Sequence, residues 1–289
     1  MSKPIQEYFF RKDVKEGFEI IRLSQFFKEN PESKISKAHR VRFYAMAFIT
    51  EGRGRHSIDF KTYEYRERNI LFVGKDQVNA WLDYAKVDGF LLLFTEEFLY
   101  HNQIIFRDIS YAYPYNSSLY QPVIPLEGEE RYETFLSLID YLYKEYRLPE
   151  SKVKPAILQN LLRTLLLKIQ SHAIKEETSA RASDKELFIR FQRMIEERIS
   201  ESRNVKDYCH YLQVSYRRLN AACKILTQST AKEFIDQMAI LKAKKHLLDQ
   251  EKNISEIAYL VGFEEVTNFT KFFKKHVGLT PKAFVLSIQ

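Results

Sequence analysis

The sequence predicts an α+β chain: a small N-terminal β-barrel or sandwich with a helical hairpin, then an all-α C-terminal domain in which two helix-turn-helix motifs are joined by a long helix. Three observations carry this prediction. Short β-branched and aromatic segments fill the first ~125 residues. After Glu127 the apolar spacing changes to steps of three and four. After Val205 a pattern of about 50 residues occurs twice.

The strand-like segments are Phe18 to Leu23, Val41 to Thr50, Arg55 to Phe60, Asn69 to Val73, Val78 to Tyr84 and Phe90 to Phe94. Breaks such as Glu51-Gly52-Arg53-Gly54 and Gly74-Lys75-Asp76 separate them. Strands this short and this evenly spaced suit a barrel or a sandwich. Tyr132, Phe135, Ile139, Leu142 and Tyr146 then mark one amphipathic helix. Leu158, Leu161, Leu162, Leu165, Leu166 and Ile169 mark a second, with Pro149 and Pro155 as punctuation. The leucine stripe suits packing within the chain or a dimer seam. Glu176 to Ser183 is small, polar and aperiodic, as a linker is, and Ser183 with Glu186 suits a capping box opening the next helix. The expected divisions are 1–126, 127–178 and 184–289.

The repeat overlays Val205 to Val214 on Ile254 to Phe263, with small Cys209 against small Ala258. After one inserted residue in the second copy, Leu219 matches Phe269, Lys224 matches Lys274 and Phe234 matches Phe284. Each copy reads as helix, tight turn, helix. Ala258 is small where two helices cross, and Gly262 stands at the turn, where a positive φ is needed. Phe263, Phe269 and Phe273 fill a shared core, and Thr280-Pro281 opens a final helix. Thr230 with Glu233 makes a capping box for a connector running to about Asp249. Some 19 residues span roughly 28 Å, against ~34 Å between successive major-groove faces of a duplex.

Charge points the same way. The net charge is +7. Residues 181–289 hold 19 Lys/Arg and 13 Asp/Glu, a net of +6, while residues 1–180 hold 26 and 25, a net of +1. A basic module joined to a near-neutral one suits nucleic acid for the first and another ligand for the second. Two cysteines, Cys209 and Cys223, are too few for a disulfide scaffold. No apolar run reaches the ~18–20 residues needed to span a bilayer, and Met1-Ser2-Lys3-Pro4 opens no apolar signal core. A cytoplasmic protein without membrane partner is expected.

The stretch from Val205 to Ser287, above all ISEIAYLVGFEEVTNFTKFFKKHVGLTP (Ile254 to Pro281), closely resembles the AraC/XylS family of bacterial transcription regulators. FYAMAFITEGRGRHSIDF (Phe43 to Phe60) and NILFVGKDQVNAW (Asn69 to Trp81) are similar to the cupin-like sensory barrel of full-length members. The resemblance implies a sequence-specific DNA-binding regulator that grips two adjacent major-groove segments of promoter DNA under control of a small-molecule effector. It implies base contacts from Arg217, Asn220 and Ala221 in one recognition helix and from Val266, Thr267, Asn268 and Lys271 in the other. Chemistry agrees for several: Arg pairs with guanine, Asn with adenine, and methyls meet the thymine methyl. Lys224, Lys274 and Lys275 suit phosphates. A homodimer through the 127–175 helices and contact with RNA polymerase are also implied, with no cofactor. The first copy departs from the family pattern at Cys223, where Phe is usual, and at Gln213, Gln228 and Ala231. Ala221 and Met238 stand where basic residues are common.

For the N-terminal half, two alternatives stay open: a cupin-type metal enzyme, or a chain whose helical half docks a protein. A metal site needs about three convergent ligands, and His39 and His56 form no His-x-His pair. No nucleophile elbow, P-loop or dinucleotide fingerprint occurs. The expectation is therefore a non-enzymatic sensor, with His39, Arg42, Tyr44, Met46, His56 and Trp81 around an effector pocket suited to a carboxylate or a sugar-like molecule.

Overall fold

The computed structural model describes residues 4–11, 17–100, 121–176 and 182–288. The chain divides into two compact units, Gln6–Glu177 and Thr178–Gln289, the latter together with Met1–Ile5. Most of the expected linker lies outside the described residues.

The first unit runs β1 (Gln6–Tyr8), β2 (Phe18–Arg22), α1 (Leu23–Glu29), α2 (Glu32–Ile35), β3 (His39–Val41), β4 (Tyr44–Glu51), β5 (Arg53–Ile58), β6 (Lys61–Arg66), β7 (Asn69–Val73), β8 (Val78–Asp83), β9 (Asp88–Phe94), α3 (Glu96–Tyr100), β10 (Val123–Pro125), α4 (Glu129–Arg147) and α5 (Lys154–Glu176). The strands form two five-stranded sheets, in the orders β1-β3-β8-β5-β6 and β10-β7-β4-β9-β2. All pairings are antiparallel except β1 with β3. Among the described residues the sheets do not close into a barrel, which corrects the barrel expectation and leaves the sandwich.

Strand β4 shows how the layers arise. Its even residues Tyr44, Met46 and Phe48 join a core with Tyr132, Phe135, Ile139 and Leu142 of α4 and Leu158, Leu162, Leu165, Leu166 and Ile169 of α5. Its odd residues Ala47 and Ile49 join a separate core with Val41, Ile58, Tyr65 and Trp81 of the other sheet. The central sheet is thus covered on both faces, which is why β7 and β9 are continuously apolar rather than alternating. The leucine stripe of α5 is buried inside the unit.

The sequence does not announce β1, β3, β6, β10, α1 or α2. The β5–β6 hairpin is instructive. It turns through Asp59 and Phe60, both at positive φ (45° and 70°). Such two-residue turns are normally signalled by Asn-Gly or Asp-Gly. Here Asp59 is instead held by accepting from the Val78 N–H at 3.1 Å and from Gln77 at 3.2 Å.

The second unit is helical: α6 (Ala182–Arg198), α7 (Val205–Leu212), α8 (Tyr216–Thr227), α9 (Ala231–Asp249), α10 (Ile254–Leu260), α11 (Val266–Val277) and α12 (Pro281–Ile288). Ser183 lies inside α6 rather than capping it, and its hydroxyl accepts from Arg218 at 3.1 Å.

The two helix-turn-helix copies share the hydrogen bond that closes the turn, their buried positions and their helix ends, though only α8 has a side-chain cap at its start. The Val214 N–H reaches the Cys209 carbonyl and the Phe263 N–H the Ala258 carbonyl, each at 3.0 Å. Gln213 (φ 56°) and Gly262 (φ 80°) occupy the same left-handed turn position. Leu219 and Cys223 are buried where Phe269 and Phe273 are. Gln228 and Gly278 both close their helices in the left-handed region. Thr230 and Thr280 cap α9 and α12 through their hydroxyls at 3.2 Å.

Candidate nucleic-acid interface and effector cavity

Helix α8 opens on Ser215, whose side chain accepts from the Arg218 N–H at 3.2 Å. Leu219, Ala222 and Cys223 face inward, which leaves Tyr216, Arg217, Ala221 and Lys224 exposed on the opposite face. In α11, Phe269 and Phe273 face inward, leaving Thr267, Asn268, Lys271, Lys274 and Lys275 exposed, with Val266 half-buried. Eight of the ten expected DNA-facing residues are therefore solvent-exposed on these two helices. Asn268 donates to Glu265 at 3.1 Å on this surface.

Asn220 departs from its expected role. Its Oδ1 accepts from the Ala231 N–H at 3.0 Å, so the acceptor that would read adenine caps α9 instead. Arg218 is likewise turned inward, 2.7 Å from Asp184 of α6. Tyr216, exposed beside Arg217 at the helix entrance, was not singled out by the sequence. Its only signal is its position directly after the capping serine.

Helix α9 holds both motifs. It carries a full capping box from Thr230 and Glu233. It buries Phe234, Ile235, Ala239, Ala243, Leu247 and Leu248 and packs against helices of both copies. Phe234 packs at a tilt against Phe188 of α6, ring centroids 4.7 Å apart, while Phe273 meets Phe284 edge-on. Arg203 adds a clamp: it pairs with Asp236 of α9 at 2.8 Å and lies over the rings of Phe263 and Phe272 at 3.8 and 4.2 Å. Burial pushes the Cys223 thiol up to about 12 and raises that of Cys209, so neither is a ready nucleophile.

The first unit contains a cavity of about 370 Å³ between its two sheets. His39, His56 and Trp81 line it, as the sequence predicts. Arg42, Tyr44 and Met46 do not, and each has a physical reason. Arg42 forms bonds of 2.6 and 3.0 Å to Glu7 and 2.5 Å to Asp76, which raise its pKa further. Tyr44 and Met46 point to the helical face of the sheet, and Tyr44 donates to Glu96 at 3.0 Å. Their neighbours Ala45 and Ala47 line the cavity in their place. The reading chose the wrong parity of β4, which transfers every side chain to the other face.

His56 is fully buried, edge-on to Trp81 at 4.4 Å. Burial, then the adjacent His39, hold its pKa down to about 3; Asn79 opposes this weakly. His39 is also lowered by burial, its Nδ1 lying 3.0 Å from the Lys37 carbonyl. Both rings are neutral near pH 7. Among the described residues, no group of three or more His, Cys, Asp or Glu stands together as a metal site, and no helix is long and apolar enough to cross a membrane.

Residues 208–286 match a family model described as a helix-turn-helix domain. The raffinose operon transcriptional regulatory protein RafR of Pediococcus pentosaceus is 24% identical over 147 residues, 51% of this chain and 53% of that protein. The HTH-type transcriptional activator RhaS of an Escherichia coli O139:H28 strain is 19% identical over 249 residues, covering 84% of this chain and 85% of its own. ToxT from Vibrio cholerae O395, solved with (E)-4-(8-methylnaphthalen-1-yl)but-3-enoic acid bound, aligns at 14% identity and a TM-score of 0.47 over 94% of this chain and all of its own. The chain spans about half the length of RafR.

Proposed function

We propose that this chain is an AraC-family, sequence-specific DNA-binding transcription regulator acting in the cytoplasm, a reading supported by its C-terminal double helix-turn-helix. The observation that carries the reading is the equivalence of α8 and α11. Each is the second helix of a motif with the same turn, presents a polar and basic face, and is seated on one shared helix. Arg217, Ala221, Val266, Thr267, Asn268 and Lys271 meet base edges, and Lys224, Lys274 and Lys275 meet phosphates. Asn220 is left out because its oxygen is engaged. Glu265 orients Asn268 from the start of α11.

The N-terminal unit senses a small molecule in the cavity between its sheets. The effector shifts the balance between domain arrangements, as any ligand with differential affinity must. The chain works as a homodimer through α4 and α5, and RNA polymerase contact is the family's commoner output. Because the leucine stripe of α5 is already buried, the dimer face uses what α4 and α5 leave exposed, Tyr141 and Leu167 among them.

A salt titration of duplex DNA binding by the whole chain tests the reading. Six or more phosphate contacts predict affinity falling ~10³-fold or more between 50 and 200 mM salt. A flat response would sink it and favour a helical half that docks a protein.

A further inference from the structure

The cavity of the N-terminal unit has a definite chemical character. Most of its wall is hydrocarbon, from residues such as Ile21, Phe43, Ala45, Ala47 and Leu91. Its unsatisfied polar groups are His56, Asn79 and the buried Tyr8 hydroxyl, whereas Asn30 donates to the Phe26 carbonyl and His39 lies on the Lys37 carbonyl. Neither ring nitrogen of fully buried His56 nor Nδ2 of buried Asn79 completes a well-formed hydrogen bond, although the two side chains lie close enough for Asn79 to favour the protonated ring slightly. An unmet buried polar group is destabilising, so these atoms favour a ligand atom that donates and accepts. A neutral imidazole offers one N–H and one lone pair, and the carboxamide nitrogen offers N–H. The wall holds no spare cation among the described residues: Arg11 is paired with Glu19 at 2.7 Å, and Glu29 accepts from Gln25 at 2.8 Å.

These facts discriminate between ligand classes. An anion entering here would lose its hydration and meet neutral rings and hydrocarbon. A free sugar carries hydroxyls around its whole rim, and most would face hydrocarbon. We propose that the cavity takes an uncharged amphipathic small molecule, its apolar body between Phe43, Ala45, Ala47 and Leu91 and one neutral hydroxyl, carbonyl or carboxamide head on His56 and Asn79. The proposal rests on the reading of this unit as the sensor, and replaces the carboxylate or sugar suggested by the sequence.

Trp81 is the one tryptophan in the sequence and lines the cavity, so its fluorescence reports occupancy directly. The whole chain is titrated with 4-phenylbutan-1-ol, 4-phenylbutanamide, sodium 4-phenylbutyrate, butylbenzene and glucose, well above the carboxylate pKa. The alcohol and the amide are expected to saturate, and the carboxylate to bind at least about tenfold more weakly. His56→Leu is expected to weaken the alcohol about tenfold while leaving butylbenzene unchanged, a difference that simple loss of packing would not produce. Equal or tighter carboxylate binding, equal weakening of alcohol and hydrocarbon, saturation by a free hexose instead, or no saturation by any uncharged probe would each overturn the proposal. DNA affinity with and without the alcohol is measured separately. Cavity binding that leaves DNA affinity unchanged fails the sensor reading and not the ligand class.

Discussion

Gly262 and Gly278 have nearly the same φ, 80° and 82°, yet they differ in surroundings. A Cβ on Gly262 would lie 2.3 Å from the Ile199 carbonyl oxygen, whereas one on Gly278 would meet nothing within 4 Å. Gly278→Ala is expected to cost about 1 kcal/mol for the left-handed backbone alone. Gly262→Ala is expected to cost clearly more, on the order of 3 kcal/mol, because backbone must also move. Denaturant titration of both variants checks the ordering. Gln213 holds the same turn position as Gly262 with a side chain, so Gln213→Gly is expected to stabilise by about 0.5 kcal/mol. His56 gives a pH prediction. Its folded pKa, about 3, lies below the unfolded value of 6.5. Between those values the unfolded chain binds the extra proton, so stability is full above about 6.5 and falls as pH drops toward 3. The slope contributed is up to about 1.4 kcal/mol per pH unit, with lowered His39 adding in the same direction. Unfolding followed at Trp81 should show a shallower acid slope in His56→Leu; an unchanged slope would show that the ring is not buried neutral.

Among the elements, those written by local rules were the legible ones. The capping box at Thr230, the proline start of α12 and the helical spacing of α4 and α5 each follow from a few adjacent residues, and each is where the sequence put it. What was lost depends on partners distant in sequence. The short strand β10 pairs with β7, and β3 pairs with β1 and β8, but neither has apolar alternation long enough to be seen. Strand β4 was found while its faces were exchanged, because both faces are buried and alternation is absent. The engagement of Asn220 is hidden for a related reason: its type suits a base reader, and only the fold brings the α9 N-terminus to it. Thr230→Ala should cost about 1 kcal/mol. Arg203→Ala should cost more, about 2–4 kcal/mol, since it leaves Asp236 half-paired and removes two ring contacts. Thermal unfolding of the two variants ranks them.

For the molecule as a whole, the question is what fixes the distance between its two proposed DNA readers. Within the C-terminal unit, α9 has 19 residues, or roughly 28 Å of helix, and both motifs are packed along it. Such a strut has little freedom to stretch or twist, since doing so would open the buried row from Phe234 to Leu248 and pull Arg203 from Asp236. The duplex supplies a ruler of its own, repeating each groove face every ~34 Å, about 10 base pairs. Once a bound sequence is known, inserting ~5 base pairs between its two segments turns the second segment to the far side of the duplex. Affinity is then expected to fall to that of a site with one segment scrambled, and inserting a full turn should not restore it, because the strut cannot lengthen by another ~34 Å. Electrophoretic mobility shifts on the four duplexes, the uninterrupted site included, decide the matter. Recovery at the full-turn insertion would mean that two chains, each using one motif, read the site, and that α9 is not the ruler.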